Sequence, residues 1–172
     1  MNHVISLLVE NNAGVLARIS GLLSGRGYNV ESFSAGPTLD PEITRITLVC
    51  RGDDTIIDQI KKQLNRLIEV IKVSDLTNKH TIDRQFALIK LSVLPGNRSE
   101  IIQLAEVFAA KVMDVGSSTM VLELIGSEKK IEDLLQLLDG YVIEIARSGL
   151  VSIERGKKNP VKNLQEDKHG KN

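Results

Sequence analysis

Apolar and polar positions change rhythm several times along the chain, and the order of those changes predicts its elements. Val4-Ile5-Ser6-Leu7-Leu8-Val9 is a β-branched run of strand length that stops at Glu10-Asn11-Asn12. Val15, Leu16, Ile19, Leu22 and Leu23 then recur at helical spacing, with Asn11 or Asn12 as the expected N-cap and Gly25 or Gly27 as the stop. Residues 28–35 read as a strand whose alternation slips near Glu31-Ser32, as a bulge would make it do. The prolines of 37–42 predict a turn, after which Ile46, Leu48 and Cys50 alternate with Arg45, Thr47 and Val49 in a returning strand. Asp53 or Asp54 is placed to cap a second helix with the apolar face Ile56, Ile57, Ile60, Leu64 and Leu67, and residues 68–73 read as a last strand. The first half is β-α-β-β-α-β.

The second half repeats that order with different letters. Residues 86–93 read as a strand, and Asn97 with Glu100 gives a capping-box signature ahead of Ile101, Ile102, Leu104, Ala105 and Phe108. Two apolar runs, 112–115 and 119–125, flank Gly116-Ser117-Ser118 as a hairpin does. Ile131, Leu134, Leu135 and Leu138 mark a helix ended by Asp139-Gly140, and 142–146 supplies a final strand. Two such units predict an α+β protein of two tandem ferredoxin-like domains, each an antiparallel four-stranded sheet with two helices on one face. The expected boundaries are a first domain at 1–77, a polar linker at 78–83, a second domain at 84–156 and a disordered tail at 157–172, where apolar residues nearly vanish. The helix-free face of each sheet must be solvated or covered. Were Ile5, Leu7, Ile46 or Leu48 to point outward, that face would need a partner, and pairing of two copies is the expected solution.

Composition narrows the function classes. With 172 residues, 42% of them hydrophobic, the chain supports two small cores. Lys+Arg and Asp+Glu both number 22, so no basic excess is present to neutralise phosphates or hold an anionic membrane. Aromatics at 3%, with no Trp, leave almost no stacking platform for single-stranded nucleic acid. Neither nucleic acid nor membrane is expected as a partner. One cysteine, Cys50, excludes an internal disulfide, and no charged-then-apolar leader stands before Val4. A cytoplasmic protein is expected, or a stromal one if the chain is organelle-encoded or processed.

Most chemical constellations are missing. His3, His80 and His169 lie far apart, without the spacing of a metal site. Cys50 fits an alternating strand as a core residue, and Gly21, Gly25 and Gly27 match no phosphate loop. One group survives. Glu10-Asn11-Asn12-Ala13-Gly14-Val15-Leu16 puts a carboxamide and a glycine at a helix start, whose first N–H groups lack intrahelical partners and attract carboxylates. Gly14 lets a ligand approach the backbone, and Asn11 can donate to a carboxylate and accept from an ammonium. A cap and a turn explain the same residues without any ligand.

Leu8-Val9-Glu10-Asn11-Asn12-Ala13-Gly14-Val15-Leu16, Arg26-Gly27-Tyr28-Asn29-Val30-Glu31-Ser32 and Arg45-Ile46-Thr47 resemble the regulatory small subunits of acetolactate synthase (acetohydroxyacid synthase). The first half is thus similar to an ACT domain, and the likeness continues through Gln63-Leu64-Asn65-Arg66-Leu67-Ile68 to Ala146-Arg147-Ser148-Gly149. The resemblance implies a chain without catalysis of its own that activates a large subunit and confers feedback inhibition by valine or another branched-chain amino acid. The large subunit would carry thiamine diphosphate, magnesium and FAD and transfer an acetaldehyde unit from pyruvate; no cofactor is implied for this chain. By position, the implied effector site is the Asn11 side chain, the backbone of Gly14, Val15 and Leu16, and Asn29 with Val30 from the facing ACT domain of a homodimer. Gly25, Leu23 and Gln85 depart from the family pattern outside that site. A free-standing ACT-domain sensor acting on another enzyme or a transcription factor is the alternative. A small acyl-phosphate hydrolase would have to use a pair such as Asn97-Arg98, which a helix cap also explains.

Overall fold

The computed structural model describes residues 1–157, 160 and 161; the rest of the tail expected at 157–172 lies outside the described residues. The chain forms two compact units, one of residues 1–82 joined by the segment from Ser152, the other Asp83–Val151. The first unit runs β1 (Asn2–Glu10), α1 (Val15–Gly25), β2 (Asn29–Pro37), β3 (Ile43–Arg51), α2 (Asp54–Leu64) and β4 (Val70–Asp75). Its strands lie in the order β2-β3-β1-β4, all antiparallel, which is the split-βαβ arrangement read from the periodicity.

Alternation in β1 and β3 decides which side chains meet the helices. Ile5, Leu7 and Val9 pair in register with Leu48, Ile46 and Thr44, and the inward set packs on Val15, Ile19 and Leu23 of α1 and Ile57, Ile60 and Leu64 of α2. Ile5, Leu7, Ile46 and Leu48 therefore face the helices, so none of them creates an outward apolar patch. At 11 residues α1 is marginal in isolation, and burial of its i, i+4, i+8 stripe holds it in place. Replacing fully buried Ile19 by Ala costs about 2–5 kcal/mol. The bulge expected near Glu31 is present, because the β2–β3 register shifts between Val30 and Ser32.

Two local expectations need correction in this unit. The helix N-cap is Gly14, in the left-handed region at φ 87°, and no side chain caps it; Asn11 and Asn12 make other bonds. The fourth strand starts at Val70 rather than at Ile68, because the Val70 N–H closes a turn onto the Leu67 carbonyl and leaves Ile68 92% exposed. By contrast α2 is capped as read, with Asp53 Oδ1 accepting from the Ile56 N–H at 2.8 Å and Asp54 in the first turn.

The remaining elements are β5 (Thr81–Ser92), α3 (Arg98–Val107), β6 (Lys111–Val115), β7 (Thr119–Gly126), α4 (Glu128–Leu137), β8 (Val142–Arg147) and β9 (Val151–Glu154). The second sheet orders as β6-β7-β5-β8, with β9 also pairing β5. Ala87, Ile89 and Leu91 pack with Met120, Leu122 and Leu124 beneath Ile101, Ala105, Ile131 and Leu134. The capping box at Asn97 does not form: its Oδ1 accepts from the Leu94 N–H at 2.7 Å and closes the preceding turn. Residues 81–83, read as part of a linker, belong to β5, and β9 has no counterpart in the periodicity reading.

Candidate functional site

Everything the sequence marks at the first helix start converges at one end of the first sheet. β1 ends at Glu10, and the Asn11 backbone N–H donates to the Glu42 carbonyl at 2.7 Å, which fastens the β1–α1 loop to the start of β3. The Asn11 side chain reinforces that link: Nδ2 donates to the Pro41 carbonyl at 2.9 Å and Oδ1 accepts from Thr44 Oγ1 at 3.1 Å. One amide proton and one lone pair of the carboxamide remain for other partners. Asn12 turns back to Glu10, its Nδ2 donating to Oε2 at 2.9 Å.

Gly14 then reverses the chain into α1. Its positive φ is costly for a residue with a Cβ, and the space where that Cβ would stand is open, with nothing within 4 Å. No acidic residue occupies the first turn and no side chain caps it, so the N–H groups of Leu16 and Ala17 are left without an intrahelical partner at the positive end of the helix dipole. Val15 is only 4% exposed and anchors the turn in the core, whereas Leu16 is 45% exposed and presents an apolar side chain beside the free N–H groups. On the helix flank Arg18 pairs with Glu69, whose carbonyl accepts from the Glu10 N–H at 2.9 Å. The arrangement offers a small anion two main-chain donors, a carboxamide and an apolar rim.

Asn29 and Val30 are not part of this cluster within one chain. Both open β2, where Asn29 pairs with Arg51 at the far end of β3, and Glu10 pairs with Ile43 at the near end. Eight residues of extended strand separate the two ends, roughly 27 Å. Asn29 is exposed and Val30 half-buried. Periodicity missed Pro41 and Thr44, whose contacts fix the Asn11 carboxamide; the turn composition of 37–42 marked Pro41, and no signal marked Thr44.

Other chemistry-bearing residues have structural partners. Burial pushes the Cys50 thiol to about 11. His3 pairs across the strands with Cys50, its Nδ1 lies 3.4 Å from Thr77 Oγ1, and its buried Nε2 has no hydrogen bond. Arg98 donates to the Gly116 and Ser117 carbonyls at 3.0 Å each, so the Asn97-Arg98 pair is spent on turns. Among the described residues, no three His, Cys, Asp or Glu gather as a metal site, and no helix is long and apolar enough to cross a membrane.

Comparison with known proteins gives matches along most of the chain. Residues 5–72 match the model of the AHAS small subunit-like ACT domain, and residues 84–156 that of the small subunit of acetolactate synthase. The chain is 42% identical over 159 residues to a probable acetolactate synthase small subunit of Archaeoglobus fulgidus, covering 92% of this chain and 99% of that one. It is 43% identical over 155 residues to the acetolactate synthase small subunit of Mycobacterium bovis, covering 90% and 92%. The crystal structure of the acetolactate synthase small subunit from Thermotoga maritima superposes with a TM-score of 0.85 at 35% identity, covering 92% of this chain and 99% of that one.

Proposed function

The chain belongs to the acetolactate synthase small-subunit family, and from that membership we propose that it activates a catalytic large subunit and makes it sensitive to valine. The observation that carries the effector half of this reading is the uncapped start of α1, opening at Gly14 beside the half-used Asn11 carboxamide. The valine carboxylate takes the N–H groups of the first turn, where the helix dipole favours negative charge. Its ammonium meets Asn11 Oδ1, and its isopropyl group lies on Leu16.

Asn29 and Val30 enter from a second copy, since roughly 27 Å of strand separates them from Gly14 within one chain. A ligand held by both protomers stabilises one mutual arrangement of the two ACT domains, and is thereby linked to whatever that arrangement controls. Thiamine diphosphate, magnesium and FAD belong, in this reading, to the large subunit. This chain contributes no group to turnover.

Complementation between damaged protomers tests the composite site. Asn11→Ala and Asn29→Ala homodimers should each lose valine binding. Their mixed dimer carries both lesions in one site and none in the other, so it should recover valine binding at half stoichiometry and partial inhibition with the large subunit. A mixed dimer that stays blind to valine shows that the site is not shared in this way, and retained valine inhibition in both homodimers shows that it is misplaced.

A further inference from the structure

The face of the first sheet turned away from α1 and α2 carries a cavity of about 350 Å³. Its floor is built by strand register. Leu8 pairs with Arg45 on one side and Lys72 on the other, and Ser6 pairs with Ser74, so two cations flank an apolar centre with two hydroxyls one step along the strands. Leu76 and Ile153 add apolar walls, the latter from β9, which comes back to this unit after residue 151.

The charges in this cavity do not balance. Among the described residues the one acid lining it is Glu154, and its Oε2 is held by Lys79 at 3.2 Å. Arg45 and Lys72 are both half-buried, and neither side chain has a hydrogen bond or ion pair among the described residues. Burial works against the Arg45 charge, lowering the pKa of its guanidinium. Two like charges lining one partly dehydrated space are costly unless an anion joins them. Arg45 opens the Arg45-Ile46-Thr47 motif, yet its side chain lies on the opposite face of β3 from core residue Ile46 and takes no part in the effector reading above.

We propose that this cavity is a second binding site, taking a small organic anion whose carboxylate or phosphate head sits between Arg45 and Lys72 and whose short aliphatic body packs on Leu8, Leu76 and Ile153. Ser6 and Ser74 supply hydroxyl donors to the head. With Glu154 engaged by Lys79, none of the described residues lining the cavity offers a second carboxylate to an ammonium, so the site favours simple anions over amino acids. The site is separate from the start of α1, and binding there is read directly, whatever the fate of the valine reading.

The test is a titration of the full isotopically labelled chain, followed by NMR at fixed ionic strength, with isovalerate, inorganic phosphate and isoamylamine as probes. Saturable shifts at the Ser6 and Ser74 amides are expected with at least one anion, and none with isoamylamine, which has the same body and the opposite charge. Tighter binding of isovalerate assigns a carboxylate head, and tighter binding of phosphate a phosphate head. Arg45→Gln and Lys72→Gln should each weaken binding about tenfold or more, the loss expected of a charge-assisted contact. Lys72 lies on edge strand β4, so Lys72→Gln carries the test if Arg45→Gln fails to fold. Absence of saturable anion shifts, equal shifts with isoamylamine, or unchanged affinity in Lys72→Gln overturns the proposal.

Discussion

Gly14→Asp puts a negative charge where the proposed effector carboxylate sits, and the structure lets its size be worked out. The added Cβ meets nothing within 4 Å, so there is no steric penalty. At φ 87° an L-residue costs about 1–2 kcal/mol, and Asp, which tolerates this region, lies at the low end. That strain lowers the melting temperature by roughly 4–8 °C for a domain of this size, leaving a folded protein to assay. Two carboxylates about 4 Å apart repel by about 4 kcal/mol at an effective dielectric constant near 20. Screening at an open helix end reduces this, so valine affinity should fall about a hundred- to a thousandfold. Gly14→Ala carries the same backbone strain without the charge and should bind valine within about tenfold of the parent. Calorimetry on the small subunit, with valine inhibition of the reconstituted enzyme as a second readout, measures both variants. The reasoning is refuted if Gly14→Asp binds valine as tightly as the parent, or if Gly14→Ala loses as much affinity as Gly14→Asp. Activation of the large subunit should survive in both.

Removing the α2 cap with Asp53→Ala should cost about 1 kcal/mol in urea unfolding, while Asp54→Ala, whose side chain makes no capping bond, should cost less. Burial pushes the Asp75 carboxyl up, but the Thr77 hydroxyl and N–H together with Lys61 outweigh it and hold the group below the usual carboxylate value. Its contribution to stability is therefore present above the unfolded-state pKa, about 3.9, and lost as pH falls through the folded value. Urea midpoints of the parent should drop between about pH 5 and 2 by more than those of Asp75→Asn, and parallel curves would contradict the assignment. Cys50, fully buried with its thiol pushed to about 11, should resist a thiol reagent at pH 8 until denaturant opens the first unit; modification at the native rate of an exposed thiol would contradict its placement.

Strand and helix order were legible because two periods, 2 and 3.6, alternate along this chain, but the nearly continuous apolar run of residues 4–9 left open which way Ile5 and Leu7 face, and only the pairing with β3 fixes it. Caps were less legible. Asn11, Asn12 and Asn97 are all residues that favour helix starts, yet Asn11 fastens a loop, Asn12 bonds Glu10 and Asn97 closes a turn. The choice depends on backbone angles at a single residue, which propensity does not fix. β9 escaped because four residues, Val-Ser-Ile-Glu, carry too short an alternation and its pairing partner is distant in sequence. At the candidate site, Asn11 and Gly14 were marked by their own chemistry, whereas Asn29 and Val30 came only from resemblance. Nothing in a bulged, exposed strand start announces a ligand, and within one chain the fold keeps it at the wrong end of the sheet.

The return of Ser152–Glu154 to the first unit sets an order of events during synthesis. Residues 1–82 leave the ribosome early, but Leu8, Leu76 and Lys79 wait for Ile153 and Glu154, which emerge only after the whole second unit has been translated. Until then the cavity lacks the wall that Ile153 supplies and Lys79 lacks its Glu154 partner, and a chain ending before 152 would never acquire either.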